Sequence, residues 1–228
     1  MRERAAIKDD ARRLLSANRW RAVATNLVIM LIPMISVGPG MLWMIFPNVG
    51  VRAGGASFLI YVLTILVMPA LLVSGARYFT DFWRGTAHPV SRIFELLTEG
   101  FVRKLLGYLW MMLWVFLWSM LFIIPGLIKG LEYAAVRYIL ANHPNVAPRD
   151  ALKLSMRVTA GHRLDILVFY LSFLGWELVS SFTMGILDIV HVAPYRSIAE
   201  AGFFLEMMEE ALADSRVSQD ELSGMVSA

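Results

Sequence analysis

The chain has 228 residues, 58% hydrophobic and 17% charged, with a net charge of +3 and no cysteine. A soluble domain of this size is nearer half apolar and a quarter charged, so the balance points to an integral membrane protein. The missing cysteine excludes disulfides, a thiol nucleophile and thiolate metal sites.

Arg2 to Trp20 reads as an amphipathic helix. Ile7, Ala11, Leu14 and Leu15 fall at helical spacing, with Arg4, Lys8, Arg12 and Arg13 on the other faces. Such a helix suits an anionic membrane surface, or is a solvated helix that orients the first span. These charged and mixed residues do not read as a cleavable leader. Residues 22–51 carry no Asp, Glu, Lys or Arg and are long enough to span. Pro33 is a candidate kink, and Gly38-Pro39-Gly40 is expected to end the helix before an interfacial segment over 41–46. Residues 53–76 form a second charge-free run, with Pro69 as a candidate bend. A short amphipathic helix is expected over 90–99, and a third span, rich in Trp and Met, over 105–124.

The apolar run then breaks at Pro125-Gly126, where proline removes a backbone donor and glycine tolerates a turn. A shorter fourth element with Lys129, Glu132 and Arg137 follows to Ala141. Pro148 opens an amphipathic basic helix that ends near Gly161. Residues 166–187 form the fifth element, apolar but for Glu177, and His191 to Pro194 reads as a turn. The sixth element runs from Tyr195 to Leu212, with one apolar face and Glu206, Glu209 and Glu210 opposite. The polar tail beyond Ala213 is expected to be disordered.

Lys and Arg number seven in residues 1–21, five in 77–104 and five in 137–163, with single ones at Arg52, Lys129, Arg196 and Arg216. The positive-inside rule places the three rich segments in the cytoplasm, and six crossings then connect them with both termini inside.

The four histidines fall in loops or at element ends, and none forms a metal-binding spacing. No nucleophile elbow, phosphate loop or nucleic-acid-reading pattern is present. The intramembrane charges are the candidate site: Lys129, Glu132, Arg137 and Glu177, beside the helix break at Pro125 and Gly126. Lys129 and Glu132 lie three apart and can pair. One reading has Lys129 near the outer surface reaching headgroups; the other has Lys129, Glu132 and Glu177 lining a polar cavity. Arg137 lies nearer the cytoplasm, where it can snorkel. Glu177 has no local partner, and such a carboxylate must be protonated, paired or wet.

Several runs then carry a resemblance. Phe122-Ile-Ile-Pro-Gly126, Lys129, Tyr133 and Tyr138-Ile-Leu140 are followed by Asn142, Pro144, Ala151-Leu-Lys-Leu-Ser155 and Gly161-His162. Leu171-Ser-Phe-Leu-Gly-Trp176, Thr183, Gly185 and Pro194-Tyr195 complete the set. In order and spacing this resembles the bacterial membrane family known as domain of unknown function 975. The resemblance implies a multipass bacterial membrane protein of unknown activity. It also implies a looser likeness to the membrane portion of certain glycerophosphodiester phosphodiesterases, without their catalytic residues. Glu177 departs from the family pattern, as does the missing Phe-Tyr near Phe203-Phe204.

The expected fold is all-α: a basic amphipathic helix over 1–21, a six-helix transmembrane domain over 22–212 and a polar tail over 213–228. The expected place is the bacterial cytoplasmic membrane. The first functional reading is a non-enzymatic protein that binds or moves a lipid or other amphiphile. The second is a structural or regulatory subunit packed on another membrane protein or on a further copy of itself. The third is an intramembrane enzyme using Glu132, Glu177 and His191. No cofactor, metal or nucleic acid is expected as partner.

Overall fold

The computed structural model describes residues 4–45, 55–86 and 88–224, with the side chains of all but 33–45, 55–58, 60 and 61. Every regular element in them is helical. The expected residues 46–54, including the interfacial end at Phe46 and the start of the second charge-free run, lie outside the described part.

The amphipathic N-terminal helix is α1, Arg4–Ala17. Its apolar face does not lie on a membrane surface. Ile7, Ala11 and Leu15 are buried in the common core, and α1 packs against the late helix α10 (Ala193–Ala213). Its basic face is engaged too. Lys8 donates to Ser172 Oγ and sits 4.7 Å from the Phe173 ring centre, and Arg4 pairs with Asp165 at 3.5 Å.

Helix α2, Arg19–Ile45, runs through Gly38-Pro39-Gly40 instead of ending there. A proline forfeits only the bond it cannot donate, and membrane helices tolerate that. Helix α3, Gly55–Trp83, contains Pro69 and continues past Ala76 through Arg77 to Trp83. The short helix expected after His88-Pro89 is α4, Arg92–Thr98.

Helix α5, Phe101–Leu121, and α6, Ile123–Glu132, form a hairpin. The turn lies at Phe122, in extended conformation (φ −156°, ψ 146°), not at Pro125-Gly126. Pro125 sits in the first turn of α6, where its missing N–H would have had no helical partner. Gly126 is demanded by contact: a Cβ there would meet Ser119 Cα at 2.7 Å. A second break, absent from the expected pattern, separates α6 from α7, Val136–Asn142. Together α6 and α7 return along α5, and Arg103 near the start of α5 caps α7 through the Leu140, His143 and Val146 carbonyls.

Helix α8, Pro148–Val158, is followed by α9, Arg163–Phe182. Helix α9 ends in a Schellman turn, with Met184 N–H to Ser181 O and Gly185 N–H to Ser180 O. Residues 188–192 form a π-helical turn leading straight into α10, where a simple turn over 191–194 was expected. Pro194 near the start of α10 has no N–H to donate, which a widened turn accommodates. Helix α10 is the central element. It is buried on nearly every side, including Glu200 and Glu206, rather than on one apolar face.

The tail is ordered to Gly224. Arg216 donates to the Ala160 and Val158 carbonyls, Val217 and Leu222 join the core, and α11, Gln219–Ser223, starts at a capping box of Ser218 and Glu221. Arg157 pairs with Glu221 at 2.8 Å.

Among the described residues three helices contain stretches long and apolar enough to cross a membrane: Val62–Trp83, Phe101–Leu121 and Arg163–Phe182. Leu113, Phe116, Leu117 and Met120 on α5, and Leu171, Leu174, Leu178 and Phe182 on α9, are all exposed. An apolar surface of that extent belongs against lipid rather than water.

Two outcomes follow from this packing. Gly126→Ala is expected to lower stability by about 1–3 kcal/mol, because the Ser119 backbone must shift. Gly130→Ala, whose Cβ meets nothing within 4 Å, is expected to be neutral or slightly stabilising; thermal melts of the purified protein compare the two. Arg157 holds the Glu221 carboxyl below the usual glutamate range by hydrogen bonding. A depressed acid stabilises above its unfolded value and loses that contribution as pH falls through the folded one. Hydrogen exchange in residues 217–223 should therefore accelerate as pH drops below about 4, once corrected for the intrinsic rate, and Glu221→Gln should show the fast exchange already at pH 7.

Candidate functional site

Two buried carboxylates organise the charged interior. The first is Glu132, at the end of α6 and 5% exposed. Its Oε2 pairs with Lys129 Nζ at 2.6 Å and its Oε1 with Arg163 at 2.6 Å. Its backbone carbonyl is free, because Val136 N–H bonds to Tyr133 O instead. Two hydroxyls from the α8 side take that acceptor: Ser155 Oγ at 2.7 Å and Thr159 Oγ1 at 3.2 Å. Lys129 also lies 5.6 Å from the Trp118 ring centre and 3.8 Å from Met156 Sδ. It is therefore held inside the protein rather than extended towards headgroups. Lys129 and Arg163 meet on one carboxylate, so they do not stand on opposite sides of a bilayer as the charge count had placed them.

The second is Glu200 on α10, 7% exposed. Its Oε2 accepts from Arg137 and, at 3.3 Å, from the Tyr138 hydroxyl. Arg196, one turn earlier, brings its Nε to 4.0 Å from Oε1. Arg196 also pairs with Glu177. Arg137 thus does not snorkel; it is locked to a buried acid and stacks 5.0 Å from the Tyr138 ring centre. Nor is Glu177 without a partner.

A cleft of about 930 Å³ runs beside the α5–α6 hairpin. Its apolar walls include Met112, Val115, Phe116, Ile123 and Leu127. Met112, Phe116, Ile123 and Leu127 are themselves exposed, so the mouth opens on the apolar outer surface. At the other end the lining changes to Tyr108, Tyr170, Arg137, Arg196 and Glu200. From Ser119 to Tyr108 the wall follows α5 for about 16 Å at 1.5 Å per residue. A smaller cavity of about 170 Å³, between α2, α3 and α10, shares Arg137, Arg196 and Glu200 as wall residues.

Of the residues singled out from sequence, Lys129 and Glu132 form one cluster, Arg137 belongs to the other, and Glu177 joins that one through Arg196. Lys129, Glu132 and Glu177 are not among the residues that line the cleft. Gly126 and Arg137 line the cleft, whereas Pro125 does not. Sequence reasoning missed Arg163, Arg196 and Glu200. The i,i+4 spacing of Arg196 and Glu200 was the one available signal. Among the described residues no three His, Asp or Glu side chains gather as a metal site.

Residues 121–211 match the sequence model of a family described as "Protein of unknown function (DUF975)". No curated protein and no solved structure matches the chain.

The shared carboxylate predicts a non-additive pair of substitutions. Lys129→Met and Arg163→Met are each expected to cost about 1 kcal/mol, since Glu132 keeps one partner. The double variant is expected to cost about 3–5 kcal/mol, because it strands a buried charge. Thermal denaturation of the four proteins gives the coupling directly.

Proposed function

From a chain whose residues 121–211 match the model of a family without an assigned activity, we propose a function based on the cleft: this is a membrane protein that binds an amphiphile. The observation that carries the reading is the division of one cavity into an apolar length, open on the apolar surface, and a polar end with charges already in place. A site for a wholly apolar molecule needs no arginines, and a site for a soluble ion needs no long apolar wall. The chain of the ligand lies along Val115, Phe116 and Leu127, and its head reaches the tyrosines and arginines.

The protein acts by binding or moving this ligand rather than by transforming it. It resides in the bacterial cytoplasmic membrane as a multipass protein, with its basic segments on the cytoplasmic side. Lys129, the headgroup contact expected from sequence, is replaced in that role by Arg137 and Arg196.

Gly130 lines the cleft, and a side chain built there meets nothing within 4 Å. Gly130→Leu should therefore fill the cavity without disturbing the core. Native mass spectrometry of the detergent-purified protein is expected to show bound lipid on the parent and on Gly130→Ala, and little on Gly130→Leu. Equal retention by all three would sink the cleft as the binding site.

A further inference from the structure

The polar end of the cleft is not electrically balanced by its own lining. Arg137 and Arg196 face it, with Glu200 as the lining carboxylate. Glu200 is committed: it is buried and holds Arg137 and the Tyr138 hydroxyl on one oxygen. Separating a buried pair of this kind leaves an uncompensated charge in a dry interior. Glu177 differs. Its side chain is 45% exposed, it lies outside the lining of the cleft, and its partner is Arg196. Being less enclosed than Glu200, it is the acid that can give up its partner, and once released it is protonated or wet.

Arg196 itself is 35% exposed and reaches Glu200 only at 4.0 Å. Its guanidinium therefore has a loose inner contact and a replaceable outer one. Tyr108 and Tyr170 line the same end and lie within electrostatic reach of both Arg137 and Glu200. Among the described residues neither phenol hydroxyl has a hydrogen-bond partner. Two phenol donors and one releasable guanidinium match an anionic oxygen group, which accepts several charge-assisted bonds at once.

Building on the cleft as the amphiphile site, we infer that its ligand carries an anionic oxygen headgroup, phosphate or carboxylate, which displaces Glu177 from Arg196 while Glu200 stays on Arg137. Glu177 is then a built-in competitor that sets how anionic the head must be. It acts through Arg196 and does not touch the ligand, so it is a positioning residue. Its opposition gives the inference a signature: removing the acid and removing the base must move headgroup preference in opposite directions.

The test uses the full chain in detergent, equilibrated with equal amounts of phosphatidylglycerol and phosphatidylcholine, with the ratio of retained lipids read by native mass spectrometry. The parent is expected to prefer phosphatidylglycerol. Glu177→Gln should raise that preference about threefold to tenfold, and Arg196→Gln should lower it about tenfold, as for one charge-assisted bond. Arg196→Lys, which keeps the charge, should retain part of the preference. A ratio unchanged in Glu177→Gln and Arg196→Gln, with both lipids still lost in Gly130→Leu, would overturn the anionic-head inference and leave the cleft reading standing. A parent that retains neither lipid would overturn both. Inorganic phosphate is added alone as the last arm. If it displaces phosphatidylglycerol at millimolar concentration and binds Gly130→Leu equally well, the anion chemistry holds but the source is a free oxyanion, not a lipid.

Discussion

The carbonyl oxygen of Glu132 is the acceptor on which the charged half of this structure depends. A continuous helix from Ile123 to Asn142 would give it to Val136 N–H. The chain instead turns over at Tyr133, Val136 N–H goes to the Tyr133 carbonyl, and the Glu132 acceptor is left over inside the protein. A buried carbonyl without a donor costs on the order of 1–3 kcal/mol, so a break there survives only if something else donates. Ser155 and Thr159 do. The break therefore ties α6 to α8, and the Glu132 carboxylate, on the same residue, ties both to α9 through Arg163.

The consequence reaches the second cluster. Helix α7 begins immediately after the break and is fastened at its far end by Arg103. With both ends held, Arg137 and Tyr138 in its first turn have one direction to point, and that direction meets Glu200 on α10. Asn142 adds a third tie, accepting from Arg77 at 3.0 Å and donating to the Tyr138 carbonyl at 2.8 Å. The polar end of the cleft is thus positioned by backbone accounting at Glu132, five residues before Arg137 in the chain, before any ligand is considered.

Much of this was legible from composition and period. The helices α3 and α5 announce themselves as charge-free runs and α9 as a run apolar but for Glu177, and α4 and α8 follow from amphipathic spacing behind His88-Pro89 and Ala147. What was not legible has a common physical cause. Proline and glycine mark where a chain can bend, but tertiary contact decides whether it does. Gly38-Pro39-Gly40 stays helical, and Pro125 starts a helix instead of breaking one. The unheralded break at Tyr133 to Ala135 is stabilised by Ser155 and Thr159, more than twenty residues away in sequence. The same limit applied to charge. Lys129 and Glu132 were readable as a local pair, but Arg163 on Glu132 and Arg196 on Glu177 are long-range partners that no helical spacing reveals. The tail looked too polar to fold, yet two apolar residues, Val217 and Leu222, and one ion pair to Arg157 dock it.

The two carboxylate clusters, though built alike, are suited to different tasks. Each places one buried acid between two cations. At Glu132 both contacts are 2.6 Å ion pairs and the backbone oxygen is satisfied as well, so the residue is saturated and has nothing to offer a ligand. At Glu200 one guanidinium is held closely and the other stands off at 4.0 Å, shared with an acid that is only partly enclosed. Saturation makes the first cluster a structural tie. Incomplete saturation, at the end of a cavity with a long apolar wall, leaves the second with binding capacity to spare. The difference follows from enclosure: a partly exposed carboxylate such as Glu177 makes a replaceable partner, and a buried one does not.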